Sequence, residues 1–238
     1  MKRLVALAGF IFVGLCLEVL NPVAAPRDNS SDALARRCTD FKLATERIKQ
    51  CRLLVDSNLL EDSLKAVPHF FIAHAYAEIN DLDRAIEHAQ KYLIGMQQYH
   101  QKNPSALRCK DMKGAWLKLC LQIPGPQISA AYKLVGDIEE IQMLDLKTSR
   151  NKEAVVTFAK RAVANYSAAI VANPDNHKAY AKRGEILARF CKGDEAEADF
   201  RLAISSALRR NSKADAEEYR DKLSFGTASC WEDYRGRL

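Results

Sequence analysis

HKAYAKRGEILARFCKGDEAEADFRLAISSAL, residues 177–208, decides the fold. With His177 as the first position of a 34-residue unit, Tyr180 falls at position 4, Gly184 at 8, Ala196 at 20, Phe200 at 24 and Ala203 at 27. Apolar and small residues recur three and four apart on both sides of Lys192-Gly193-Asp194, which is the pattern of two amphipathic helices joined by a turn. Gly184 and Ala196 are small where the two helices should cross closely, with Tyr180 and Phe200 filling the space beside the crossing. Asp194 is expected to cap the second helix. One hairpin of this kind cannot bury both of its apolar faces, so it predicts neighbours of the same sort.

Residues 66–97 supply one. Counting from Ala66, Ala73 stands at position 8, Tyr76 at 11 and Ala85 at 20, with a turn expected at Asn80-Asp81-Leu82-Asp83. Ala89 takes the place of the aromatic at 24, and Tyr92 that of the alanine at 27. Residues 129–174 supply another, enlarged by about 14 residues: Ala131, Tyr132 and Gly136 occupy positions 3, 4 and 8, and Ala162, Tyr166, Ala169 and Pro174 occupy 20, 24, 27 and 32. Residues 39–57 read as one amphipathic helix, Pro68 sits where a helix's first turn tolerates it, and 109–123 reads as a helix ended by Pro124-Gly125-Pro126. A charged helix at 214–223 would cap the stack. The fold class is therefore all-α, a solenoid of helical hairpins occupying residues 37–223, with flexible 26–36 before it and an irregular tail, 224–238, after it.

Residues 1–25 carry the marks of a secretory signal: Lys2-Arg3, an apolar run from Leu4 to Leu20, and small residues at Val23-Ala24-Ala25. An uncleaved anchor would need about 20 apolar residues, and Glu18 interrupts this shorter run; a lipoprotein would need a small residue before Cys16, where Leu15 stands. Export makes disulfides the expected use of Cys38, Cys51, Cys109, Cys120, Cys191 and Cys230. Cys109–Cys120 and Cys191–Cys230 are the favoured pairings, with Cys51 and Cys191 as small buried hydrophobes the alternative. The net charge of +6 is spread among acidic residues, without a basic stripe interleaved with aromatics, so nucleic acid is not the expected partner.

The stretches ATERIKQCRLLVDS and HFFIAHAYAEINDLDRAIEHAQKYL resemble the opening of exported tetratricopeptide-repeat proteins of alphaproteobacteria. Ala44, Ile48 and Cys51 match the first helix of that family; Tyr76, Asp83, Arg84, Ala85 and Ile86 match its repeat. Ala179-Tyr180, Arg183-Gly184, Ala196, Asp199-Phe200 and Ala203-Ile204 match it again, more closely. The resemblance covers about half of the mature chain. It implies a tetratricopeptide-like solenoid in the periplasm or outside the cell, and it implies no reaction.

The residues themselves offer none either. GxSxG, HExxH, a phosphate-binding glycine loop and CxxCH are all missing from the sequence. His69, His74 and His88 are read as surface or groove histidines, Cys/His spacing suits no zinc site, and no cofactor or metal is expected. What remains is the inner face of the solenoid. Phe70 and His74 from the first repeat, and Lys178, Lys182, Glu185 and Arg189 from the last, are the expected partner-binding residues. The function so read is a non-catalytic scaffold of the bacterial envelope holding a protein or peptide segment in its groove. The alternatives are a structural accessory of a larger envelope assembly and an enzyme with an unrecognised site within residues 99–151. As exposed charges, Lys178, Lys182 and Arg189 are expected to be removable at little cost in stability.

Overall fold

A computed structural model describes residues 30–60, 64–102, 125–147, 151–225 and 230–238. Nine α-helices and no strand occur among the described residues: α1 (Ser31–Asp40), α2 (Ala44–Asp56), α3 (Val67–Glu78), α4 (Leu82–Lys102), α5 (Gly125–Lys147), α6 (Lys152–Ala172), α7 (His177–Arg189), α8 (Gly193–Arg209) and α9 (Lys213–Phe225). Each packs chiefly against its neighbours in the chain, and the first helices of adjacent hairpins also touch, α1 against α3 and α5 against α7. The signal segment and the expected helix at 109–123, with Cys109 and Cys120, lie outside the described residues, as do 103–124 and 148–150 of the stretch 99–151.

The beginning differs from the expectation. Residues 31–36 are helical rather than a flexible tail: Ser30 caps α1 by accepting from the Ala33 N–H at 3.3 Å, and Leu34 and Ala35 are buried. The single helix expected over 39–57 is two helices, broken by extended backbone at Phe41 and Leu43. The reason lies in Cys38 and Cys51. In one straight helix they would stand about 20 Å apart, whereas here they form a disulfide with 4.5 Å between their Cα atoms. Both are buried, and the bridge folds α1 back on α2.

The two later hairpins close as the spacing predicts. A Cβ built on Gly184 would lie 3.3 Å from the Ala196 carbonyl oxygen and 3.4 Å from the Phe200 ring. A Cβ on Gly136 would lie 2.7 Å from the Tyr166 ring. The glycine at position 8 thus meets the aromatic at position 24 in both, across the extra length of α5 and α6. In the α3–α4 hairpin, Ala73, Ala85 and Ala89 are buried and Tyr92 is fully enclosed.

Three helices end alike. Asn80, Cys191 and Asn211 have φ of 60°, 62° and 58°. In each case the N–H of that residue reaches back three residues (Asn80 to Ala77, Cys191 to Ala188, Asn211 to Leu208), and the next N–H reaches back five (Asp81 to Tyr76, Lys192 to Leu187, Ser212 to Ala207). This is the Schellman closure, which favours glycine or asparagine in the left-handed position. A cysteine there is uncommon. The helix that follows starts at Gly193 with Lys192 as its N-cap, so Asp194 lies in the first turn and is not the cap. Its carboxylate still suits the positive end of the helix dipole.

The C-terminal segment is held, not loose. Cys230 is bonded to Cys191 (Cα–Cα 4.9 Å), as the sequence favoured. The Trp231 N–H donates to the Arg189 carbonyl at 2.6 Å, and Glu232–Tyr234 forms one turn of 3₁₀-helix. Phe190, Trp231 and Tyr234 pack together with ring centroids 5.6–5.9 Å apart. No described helix is long and apolar enough to cross a membrane.

Candidate functional site

Helices α5, α7 and α9 each carry a stripe of charge at helical spacing. On α5 it is Lys133, Asp137 and Glu140; on α7, Lys182, Glu185 and Arg189; on α9, Glu218 and Lys222. Residues four and seven apart share one helix face, and packing these helices side by side brings the stripes into contact. Glu140 accepts from Arg189 Nη1 at 2.7 Å and stands 3.2 Å from Lys182 Nζ. Glu185 faces Lys182 at 3.4 Å, Arg189 at 3.7 Å and Lys222 Nζ at 2.7 Å. Lys222 also meets Glu218 at 2.5 Å, and Lys133 pairs with Asp137 at 2.6 Å. The result is a ladder of alternating charge across three helices.

Its anchor is buried. The Tyr166 hydroxyl, rising from α6, donates to Asp137 at 3.0 Å and to Glu140 at 3.1 Å. Burial pushes the Tyr166 phenol well above its ordinary range, and the Asp137 and Glu140 carboxylates push it further, so it stays a donor. Burial raises the Glu185 carboxyl, but Lys222, Lys182 and Arg189 more than offset it and hold the group below the usual carboxylate range. The same pairs act on the lysines: burial lowers Lys182, and Glu140 and Glu185 outweigh it, leaving the ammonium raised.

Of the six residues expected to bind a partner, three are brought together here: Lys182, Glu185 and Arg189. They are neither free nor fully exposed. Glu140 side-chain exposure is 5%, against 37% for Lys182 and 24% for Arg189. The exposure on which the expected small cost of removing Lys178, Lys182 and Arg189 rested is found at Lys178 and not at Lys182 or Arg189. Lys178 stands apart from the ladder, lining an open cavity of about 450 Å³ with Pro126, Asn176, Arg210 and Asp215. Ala181 and Ala188, which the repeat places on the same face, are buried in helix packing.

Phe70 and His74 lie on α3. Phe70 packs against Phe71, His74 and Tyr92 with centroids 4.6–5.4 Å apart. His74 Nε2 and the Tyr92 hydroxyl are buried without a hydrogen-bond partner among the described residues. Burial lowers His74, with Glu78 opposing and Arg47 and Lys133 assisting; the influence of Lys133 comes from α5. The chain also joins two histidines that the sequence left separate. His69 Nδ1 and His88 Nδ1 are 2.9 Å apart, one imidazole donating to the other. Burial, then the nearby His88, brings His69 down to about 4; burial and Lys91 lower His88.

The sequence missed Lys133, Asp137, Glu140 and Lys222. A signal for them existed. Counted from Ser129 in the register that places Gly136 at position 8, Lys133, Asp137 and Glu140 fall at positions 5, 9 and 12. The α7 residues Ala181, Glu185 and Ala188 occupy those same positions when counted from His177. Among the described residues, the only grouping of three metal-capable side chains is Cys191, Cys230 and Glu232, and its two sulfurs are bonded to each other. Comparison with protein-family models, with curated proteins and with solved structures gave no match.

Proposed function

We propose that this protein is a non-catalytic interaction scaffold of the bacterial envelope, a tetratricopeptide-like α-solenoid that holds a partner segment along the face made by the first helices of its hairpins. The observation that carries the reading is the charge ladder: stripes from α5, α7 and α9 meet in register, with the aromatic and imidazole groups of α3 at the other end. Such a face suits an extended peptide with apolar and acidic groups. Two disulfides support an oxidising compartment, and the signal-like residues 1–25 support export to the periplasm or beyond.

A second reading has an observation of its own. Glu140 and Glu185 already neutralise Lys182, Arg189 and Lys222 within the chain, which suits a structural accessory whose repeats pack inside a larger envelope assembly. The two are separated by a change that leaves Glu185 paired with Lys222. Glu140→Gln, Lys182→Gln and Arg189→Gln together leave no uncompensated buried charge on α5 or α7. Capture of partners from an envelope fraction should weaken at least tenfold if the face is used, with the helical circular dichroism unchanged. An unaltered partner set would sink the groove reading and favour the accessory one.

A further inference from the structure

The two disulfides sit in opposite surroundings. Cys38 and Cys51 are 1% and 0% exposed, closed inside the α1–α2 hairpin, and the Cys51 sulfur lies 3.3 Å from the Cys38 carbonyl. Cys191 and Cys230 are half-buried, and Cys230 lines an open cavity of about 590 Å³ beside Trp231 and Tyr234. An attacking thiolate must reach a sulfur along the bond axis, so access decides which bridge exchanges. Cys191 also holds the left-handed position at the end of α7, where a side chain is unfavourable.

Apart from the bridge, the segment is held by the packing of Trp231, Tyr234 and Leu238 on the body and by few polar contacts. The main-chain bond given from the segment to the body is Trp231 N–H to Arg189. Its ion pairs are Lys152–Asp233 at 3.3 Å and Arg237–Glu153 at 3.0 Å, both exposed and so of small value. Lys147 Nζ rests 4.1 Å above the Trp231 ring. Under the segment lie Ile186, Phe190, Met143 and Val155, all buried, in one apolar cluster with Tyr234. In the bridged form the Cys230 sulfur lies 3.1 Å from a Glu232 carboxylate oxygen and 3.7 Å from the Arg235 guanidinium, which sit beside the thiol that reduction would create.

We propose that the Cys191–Cys230 disulfide is a reducible latch: opening it frees the C-terminal segment 230–238 from the end of α7 and uncovers the apolar cluster around Phe190, while the Cys38–Cys51 bridge stays closed. The step is thiol–disulfide exchange with a dithiol. One thiolate of the donor attacks a sulfur of the bridge, the other sulfur leaves as a thiolate and takes up a proton, and the donor's second thiol resolves the mixed disulfide. The donor leaves as a disulfide and the protein keeps two thiols. The latch stands independently of which partner, if any, the charged face holds.

The full mature chain is titrated with dithiothreitol and alkylated, and the peptides bearing each pair are quantified by mass spectrometry. Cys191 and Cys230 should become alkylated at a dithiol concentration at least tenfold below that needed for Cys38 and Cys51. In parallel, Cys230→Ser is compared with the wild type without reductant. Trypsin should cut after Arg235 and Arg237 at least tenfold faster in the variant, with the far-ultraviolet spectrum preserved. Equal susceptibility of the two bridges, or a segment as protected in Cys230→Ser as in the wild type, overturns the latch.

Discussion

Gly136 lies at a close crossing of two helices. A Cβ there would meet the Tyr166 ring at 2.7–2.9 Å, and Tyr166 cannot swing aside because its hydroxyl is tied to Asp137 and Glu140. Gly184 is looser, its nearest contacts being 3.3 Å. Alanine gains about 1 kcal/mol over glycine in a helix interior, while overpacking a core costs about 1–3 kcal/mol. Gly136→Ala should therefore lose up to about 2 kcal/mol and lower the urea midpoint, and Gly184→Ala should match or exceed the parent within about 1 kcal/mol. Equal effects would mean that the ring at Gly136 yields as easily as the contacts at Gly184. Both glycines could be read from spacing, because the requirement for a small residue at a crossing is local and periodic. The left-handed Cys191 could not. A cysteine in that position is explained by its bond to Cys230; the pairing was expected, the left-handed backbone was not.

The helix pair α3–α4 holds its charge-sensitive core in the His69–His88 bond. Burial depresses both groups, so the folded state keeps them neutral where the unfolded chain, with ordinary histidines near 6.5, begins to take up protons. A group depressed on folding contributes stability that is present above its unfolded value and lost as pH falls toward the folded one. For His69 that window runs from about 6.5 down to about 4. Stability should thus decline between pH 6.5 and 5, before ordinary carboxylates titrate. Thermal melts of His69→Gln/His88→Gln should show a shallower decline over the same interval, and an unchanged slope would place the acid sensitivity elsewhere. That pairing was hidden in the sequence because it depends on the angle at which α4 returns along α3. The break between α1 and α2 was hidden for a similar reason. Hydrophobic spacing at 41–55 continues through the bend, and the bend follows from a disulfide whose partner the pattern left open.

Across the whole molecule, the all-helical class and the Cys191–Cys230 bond were legible, since both follow from residues whose roles are set by local pattern or by a tail that must be fastened. The charge ladder was half legible. Its α7 members came from the strong repeat, and its α5 members were obscured by the extra residues that displace the second helix of that hairpin. The ladder now makes a demand on how the stack unfolds. Glu140 joins α5 to α7 through Lys182 and Arg189, and to α6 through Tyr166. Glu140→Gln removes the charge while keeping the shape, leaving two half-buried cations with Glu185 as their shared anion. Breaking a fully buried pair costs about 3–5 kcal/mol; with Lys182 and Arg189 partly solvated, about 1–3 kcal/mol is expected. Where contacts run mainly between neighbouring helices, stability is a sum of hairpin and interface contributions, and the loss should stay near the broken interface. Hydrogen exchange should then speed up in α5, α6 and α7, while α1–α4 keep their protection. A loss spread evenly from α1 to α9 would instead mark one cooperative unit, in which the ladder serves the stability of the whole chain rather than one interface within it.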